Sequence, residues 1–276
     1  LKISNGKWIW WSRGIGGRSA LDYLIKVKGY SFLEAVETII GHTAIQAPVY
    51  EKPQPKGENK PLLLPEKCAS NRVITEYLFG RGIDFEIINY CISNDLIFES
   101  LPYHNVVFVG YDEKKEPKYA AYRSTNKRRI MGDCSGSKKD YSFRLGKENL
   151  EEVHLFECAI DLLSYATLAK LNGQDWKEMS FVSLSGVYSP AKKIEDSKVP
   201  IALEKYLGSN PSVRKIRIHF DNDIAGRKAA QTLKTILPDK YEIVDEPPKA
   251  GKDFNDFLCM RMGIYNKKTH ERNEER

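Results

Sequence analysis

The sequence predicts an α/β fold, with a parallel sheet flanked by helices over residues 149–262 and a smaller α+β part before it. Three observations predict it. Short strand-like runs alternate with helical periodicity from about residue 150 to 260, the order that builds a parallel sheet. Three of those runs lead into acidic loops, which places carboxylates outside the carboxyl ends of strands, where open α/β sheets bind ligands. A run of basic residues interleaved with aromatics precedes them, and such runs meet phosphates.

Glu152 to Glu157 reads as a strand ending on an acid, and Ala159 to Leu171 as a helix with apolar residues at helical spacing. Phe181–Leu184 is a further strand, closed by the tight turn Ser185-Gly186. The β-branched run Val213 to Ile218 leads into His219-Phe220-Asp221-Asn222-Asp223, and Ala225 to Leu237 is helical. His219 reads as a packed core residue of its strand. Tyr241–Val244 is the last strand, followed by the loop holding Lys252, Asp253 and Asp256 and a short closing helix over Phe257 to Met262.

Asp221 and Asp223, one residue apart at the mouth of a helix, make a hard-cation site of oxygen ligands, the type that suits Mg²⁺ or Mn²⁺. Asp223 also fits an N-cap. Glu157 occupies the same place on its strand as Asp221 does, and Asp253 belongs to the third acidic loop. Asp161 lies four residues past Glu157 on the same helical face and reads equally as an exposed helix residue. Asp256 reads equally as the N-cap of the closing helix. Lys252 is placed to pair with its acidic neighbours, which weakens the case for a metal at Asp253.

The net charge of +6 is concentrated: Arg123, Lys127, Arg128, Arg129, Lys138, Lys139 and Arg144 are interleaved with Tyr119, Tyr122, Tyr141 and Phe143. Cations neutralise phosphates and aromatics stack on bases; the plainer alternative is a solvated basic loop. Pro48 to Glu66 is polar and proline-rich and reads as a linker. Residues 263–276 form a charged tail that frays or continues further, and a start at Leu1 in place of Met predicts an upstream segment. No apolar run reaches the roughly 18 residues of a membrane span and no signal peptide is readable, so a cytoplasmic protein with no membrane partner is expected. Cys68, Cys91, Cys134, Cys158 and Cys259 are scattered and odd in number, as befits thiols of a reducing compartment. No positioned His is in sequence reach to activate Cys158 as a nucleophile.

Glu157, then Asp221-x-Asp223 with Ala225-Gly226-Arg227, and the late Asp253 loop resemble the Toprim domain of topoisomerases and bacterial-type primases. Glu157-Cys158-Ala159-Ile160-Asp161 resembles the primase form of the glutamate motif, as does Asp221 to Ala230, and Ser185-Gly186 falls at the family's small-residue turn. Thr75 to Ile83 and Phe85 to Ile88 are similar to the helical opening of a primase core, Val106–Tyr111 and Pro117–Arg123 resemble the strands that follow it, and Trp8 to Leu24 resembles the tail of a primase zinc ribbon. The resemblance implies five parts: a degenerate ribbon-like module over 1–47, the linker over 48–66, a basic primase-core-like subdomain over 67–148, a Toprim domain over 149–262 and the tail. It implies a metal-dependent phosphoryl-transfer or strand-cleaving centre. Glu157, Asp221 and Asp223 would be its catalytic and metal-holding acids, with Asp161, Asp253 and Asp256 as further ligands or their supports. Arg227 and Lys228 would join the basic run in binding phosphates.

One departure from the family matters. Where the ribbon has a Cys-x-x-Cys pair, this chain has Trp11 and Gly14, and no Cys precedes Cys68. Zinc needs about four Cys or His ligands, so no zinc is expected and the module is expected to be held by Trp8, Trp10 and Trp11. The resemblance points to a DNA primase-like protein of a mobile element or phage, making short primers on single-stranded DNA from nucleoside triphosphates, with a helicase or relaxase as candidate partner. Two readings stand beside it: a Toprim nuclease or nickase, and a nucleic-acid-binding module without turnover.

Overall fold

A computed structural model describes residues 1–4, 7–13, 15–43, 60–126, 130–186, 188, 190–191 and 194–264. The chain divides into two units, Leu1–Glu58 and Asn59–Arg276. Most of the expected linker, the tail beyond residue 264, and Lys127, Arg128 and Arg129 lie outside the described residues.

In the first unit, β1 (Lys2–Ser4), β2 (Lys7–Trp10) and β3 (Ile15–Gly17) form an antiparallel sheet in that order, followed by α1 (Ala20–Lys28) and α2 (Phe32–Thr43). Ser19 caps α1 by accepting from the Asp22 N–H, and Gly29 ends it at φ 73°, a left-handed conformation that glycine adopts without steric cost. Trp8 is buried, donates its indole N–H to the Ser19 carbonyl at 3.2 Å, and meets Tyr23 edge-on. The expectation that three tryptophans hold this module is corrected to one. Trp10 is half-buried beneath the Arg13 guanidinium, and Trp11 is 74% exposed because the strand ends before it and a 3₁₀ turn carries it outward.

The second unit opens with α3 (Arg72–Phe79) and α4 (Phe85–Ser93), then β4 (Ile97–Glu99), β5 (Val106–Tyr111), β6 (Pro117–Arg123) and β7 (Met131–Asp133), an antiparallel sheet in that order. Asp84 caps α4 by accepting from the Glu86 N–H. There follow β8 (Arg144–Gly146), β9 (Glu152–Phe156), α5 (Ala159–Leu171), β10 (Ser180–Ser183), α6 (Ile201–Ser209), β11 (Lys215–Ile218), α7 (Ile224–Ile236), β12 (Glu242–Asp245) and α8 (Phe254–Arg261). These strands form a second sheet, ordered β12-β11-β9-β10-β8, parallel except for β8 at its edge. The α/β class and the parallel sheet are as the sequence predicts.

Both faces of that sheet are covered. Phe156 and Phe181 pack with Ile160, Leu163 and Ala166 of α5 and Phe254 and Leu258 of α8. That core is continuous with Ile74, Leu78, Ile87 and Phe108, so the smaller sheet and its helices share it. On the other face, Val153, Leu155, Ile216 and Ile218 pack with Leu203 and Tyr206 of α6 and Ala229, Ala230 and Leu233 of α7. From β9 the chain crosses to β10 on one side, and from β11 to β12 on the other. The crevice between the ends of β9 and β11 is therefore a topological switch point, where ligands of such sheets bind. No helix among the described residues is long and apolar enough to cross a membrane.

Candidate metal centre

Register puts the two key strand ends side by side: Leu155 of β9 pairs with Ile218 of β11. Just beyond that pair the chains leave the sheet, and Glu157 accepts a hydrogen bond from the Asp221 N–H at 3.2 Å. Glu157 is 5% exposed. The first turn of α7 closes over this contact at Gly226. A Cβ there would lie 2.2 Å from the Asp221 carbonyl oxygen and 2.9 Å from Glu157 Oε1, so glycine is required by close approach rather than by an unusual φ. His219, just past β11, is buried; it stacks on Phe156 and shares a ring-nitrogen contact of 2.8 Å with His154. Burial holds its imidazole well below the usual range, and it supports the floor of the site as the packed residue expected.

Asp223 caps α7, accepting from the Gly226 N–H at 2.9 Å through Oδ1. Its Oδ2 faces Lys252, whose ammonium lies 3.3 Å from it and 3.2 Å from Asp221 Oδ2. The N-cap and ligand readings of Asp223 thus use different oxygens of one carboxylate. The loop before α8 is tied to the Asp221 loop through its backbone as well, since the Asn222 N–H donates to the Lys252 carbonyl.

Asp253 caps α8, accepting from the Asp256 N–H at 2.7 Å. This corrects the reading of Asp256 as the cap: the helix begins at Phe254, so Asp256 lies inside its first turn and accepts from the Lys252 N–H at 3.3 Å. Asp161 is 6% exposed, which corrects its reading as a solvent-facing helix residue. α5 is apolar on nearly every side and α8 packs over it, so Asp161 is enclosed, accepting from the Cys158 thiol and from the Asn255 N–H. Asn255 escaped sequence reading. It is buried, donates its amide to Ser164 Oγ and to the Arg81 carbonyl, and so fixes α8 on α5 beneath the acids; only its place between two aspartates could have drawn notice.

The electrostatics are those of carboxylates gathered with too little positive charge. Burial first, then the nearby Asp221 charge, pushes Glu157 up to about 7. Burial and the charge of Asp253 push Asp161 up to about 7 as well. Asp221 is raised by burial although Lys252 opposes the shift, whereas Asp223 is held below the usual range by the Gly226 N–H. The Lys252 ammonium is stabilised in its charged form by Asp221 and Asp223. Burial raises the Cys158 thiol well above its ordinary value, as expected of a residue that is no nucleophile.

The basic residues are placed less uniformly. Arg123 donates to the Tyr77 hydroxyl at 3.1 Å, Lys139 pairs with Asp133 at 3.1 Å, and Arg144 pairs with Glu148 while covering the Tyr206 ring. Lys138 and Lys228 are exposed. Arg227 commits its guanidinium to the Asp245 carboxylate and to the carbonyls of Phe220 and Asp221, which clamps α7 to the ends of β11 and β12. Tyr119 and Phe143, expected as stacking aromatics, are core residues: each is 1% exposed, because β6 and the segment before β8 turn them inward. Arg123 and Lys139 stand with Phe108, Tyr122 and Ser185 around a cavity of about 280 Å³ that reaches the Cys158–Ile160 start of α5.

Residues 154–258 match the family described as Toprim-like, and residues 76–149 match a family described as a protein of unknown function, DUF3991. The stretch over 154–258 is a Toprim-like domain. It holds the parallel sheet and the crevice just described. Among solved structures, the chain is similar to the primase fragment of the bacteriophage T7 primase-helicase protein, with 18% identity over 67% of this chain and 69% of that one and a TM-score of 0.45. The Escherichia coli primase catalytic core matches at 12% identity over 74% and 72% of the two chains, with a TM-score of 0.44. The Aquifex aeolicus primase, zinc-binding and RNA polymerase domains, matches at 15% identity over 91% and 68%, with a TM-score of 0.42. No curated protein matches the chain.

Proposed function

We propose that this chain is a DNA primase-like nucleotidyltransferase, making short primers on single-stranded DNA from nucleoside triphosphates in the replication of a mobile element or phage. The observation that carries the reading is the convergence of Glu157, Asp221 and Asp223 at the switch point of the Toprim-like sheet, with the Lys252 ammonium across two of them. Such a donor set fits Mg²⁺ or Mn²⁺: it offers oxygen alone, it brings like charges together, and burial followed by the Asp221 charge pushes Glu157 up to about 7. Asp221, Asp223 and Glu157 would hold the ion, with Asp253, Asp256 and Asp161 behind them. A divalent cation bound there supplies charge neutralisation and orientation to phosphate oxygens, the main demand of phosphoryl transfer.

The chain's own residues do the rest. As an alternative to holding the ion, Glu157, raised to about 7 by burial, is suited to hold or pass a proton at its carboxylate. Asn255 and Gly226 fix the acidic loops at one spacing. Lys252, whose ammonium lies across Asp221 and Asp223, would supply a positive charge to a phosphate in the crevice. Arg123, Lys138, Lys139, Arg144 and Lys228, with Lys127, Arg128 and Arg129, would track the strand or the triphosphate.

The test is incorporation of labelled nucleotides on single-stranded DNA with Mg²⁺ or Mn²⁺, run beside Asp221→Asn. Short products that vanish in the variant support the primase reading. A shortened template would identify a nuclease, and DNA binding indifferent to chelator, with no product, would identify a binding module.

A further inference from the structure

Away from the acidic crevice, a different set of ligands comes together where the second unit begins. Cys68 Sγ, a Glu99 carboxylate oxygen and a His104 ring nitrogen lie within 4.8 Å of one another. They come from three segments: the chain before α3, the last residue of β4, and the turn between β4 and β5. Backbone pairing delivers the cysteine, since the Cys68 N–H donates to the Glu99 carbonyl at 2.8 Å and the Leu101 N–H to the Glu66 carbonyl at 2.8 Å. The three side chains are fixed differently. Glu99 is 1% exposed and anchored through Oε2, which accepts from the Val73 and Ile74 N–H groups at the start of α3. Its Oε1 is left facing His104 Nδ1 at 2.6 Å. His104 stands at φ 52°, in the left-handed region, held by its own N–H on the Ser100 carbonyl and by Thr125 Oγ1 donating to its carbonyl.

From this geometry we infer that Cys68, Glu99 and His104 form a binding site for a zinc-class cation. Thiolate, imidazole and carboxylate together select a borderline-soft metal over Mg²⁺, and three protein ligands with one open position form an accepted zinc shell. Ligand atoms around tetrahedral zinc stand roughly 3.3–3.7 Å apart, as bond lengths of about 2.0–2.3 Å require. The cluster reaches that spacing by a small opening of the His104 to Glu99 contact and closure of Cys68. Binding takes the proton from the Cys68 thiol and releases it to water, while the neutral His104 imidazole turns a lone pair to the ion and keeps its one proton on the other ring nitrogen. The ion would staple the segment entering the second unit to β4 and to the turn after it. A zinc-class site here departs from the sequence expectation of no zinc, which rests on the missing ribbon ligands of residues 1–47 and does not weigh a cluster whose members stand at 68, 99 and 104.

The site is independent of the proposed activity, and so is its test. Purified protein in excess Mg²⁺, added to compete at any oxygen-only site, is titrated with Co²⁺ and with Zn²⁺. The wild type is expected to take up a single equivalent, to show a thiolate-to-cobalt charge-transfer band, and to melt at a higher temperature with Zn²⁺ than without. Cys68→Ser should lose the band and the melting shift, His104→Gln should weaken both, and Cys158→Ser should keep both. A wild type without the band overturns the inference, whatever the variants do. So does a band that survives Cys68→Ser, or a zinc-induced melting shift as large in Cys68→Ser as in the wild type.

Discussion

At the carboxyl end of the parallel sheet, like charges are held together with one ammonium between two of them. Among the described residues from Tyr119 to Arg144, Lys139 and Arg144 find opposite charges and the rings of Tyr119 and Phe143 go inside. Glu157 and Asp161 are pushed up to about 7, and Asp221 is raised despite Lys252. In the basic run, by contrast, Lys139 meets Asp133, Arg144 meets Glu148, and the Tyr119 hydroxyl donates to Asp133 at 2.7 Å. Burying unpaired carboxylates costs folding free energy, and a chain that keeps them together gains elsewhere, by binding something positive. The basic run shows the opposite pattern, with much of its charge and ring surface already used by the fold.

The sharpest way to break that contrast is to neutralise one member of each region. Asp221→Asn and Glu157→Gln are expected to lower nucleotide incorporation by at least about 100-fold, the scale of losing a preorganised electrostatic group. Lys139→Ala should lower it by less than about 10-fold, since that cation is shared with Asp133. Single-turnover assays on one template would measure both; equal losses would put the chemistry in the basic run as much as in the acids.

Next in size is the backbone approach that holds the acids. Gly226→Ala drives a methyl to 2.2 Å from the Asp221 carbonyl oxygen, and neither main chain can yield easily. Overpacking of this kind costs about 1–3 kcal/mol. Urea unfolding should show a loss of about 2 kcal/mol, with Mn²⁺ affinity falling alongside it. A stable variant with native metal affinity would mean that the loop carrying Asp221 is free to shift.

What the sequence makes legible here is what strand and helix order forces. β9 with Glu157 at its exit, α5 over Ala159–Leu171, and Asp221 past β11 all follow from local pattern. Three features do not. β8 is three residues long, includes an arginine and a glycine, and exists only because β10 offers it an edge. Asp161 sits on a helix so uniformly apolar that no polar face marks which side is solvent, and only the packing of α8 decides. Tyr119 and Phe143 carry the same letters as base-stacking residues, and their direction is settled by tertiary contact, for Phe143 with Phe108 in the shared core.

A smaller effect separates stored electrostatic cost from ordinary burial. Glu157 has its folded value raised from 4.5 to about 7, so between those values the folded protein holds a proton that the unfolded chain has released. Stability from this group is therefore greatest at low pH and declines as pH rises through that window, the reverse of a salt-bridged acid. In EDTA, wild type should lose on the order of 2 kcal/mol relative to Glu157→Gln between pH 5 and pH 8, since a tenfold change in proton affinity is worth about 1.4 kcal/mol and relaxation of the site reduces the total. Comparing the two proteins cancels contributions they share, including the buried His219. Mn²⁺ should remove the loss. A pH-independent difference would mean that Glu157 stays ionised without a cation.

The smallest effects test the other region on its own terms. Lys138 is exposed, and its removal should reduce affinity for single-stranded DNA a few-fold and lower the salt slope by up to about one, as the loss of one phosphate contact does. Tyr119→Phe removes a hydroxyl that donates to Asp133 within the fold, so it should cost about 1 kcal/mol of stability and leave DNA affinity unchanged. If Tyr119→Phe or Tyr119→Leu weakened binding at constant stability, the ring would be a base platform after all. If Lys138→Ala left the salt slope untouched, the phosphate path would lie along other cations. Either result moves the boundary between the groups that the fold consumes and those it leaves for a ligand, and the contrast with the acids rests on that boundary.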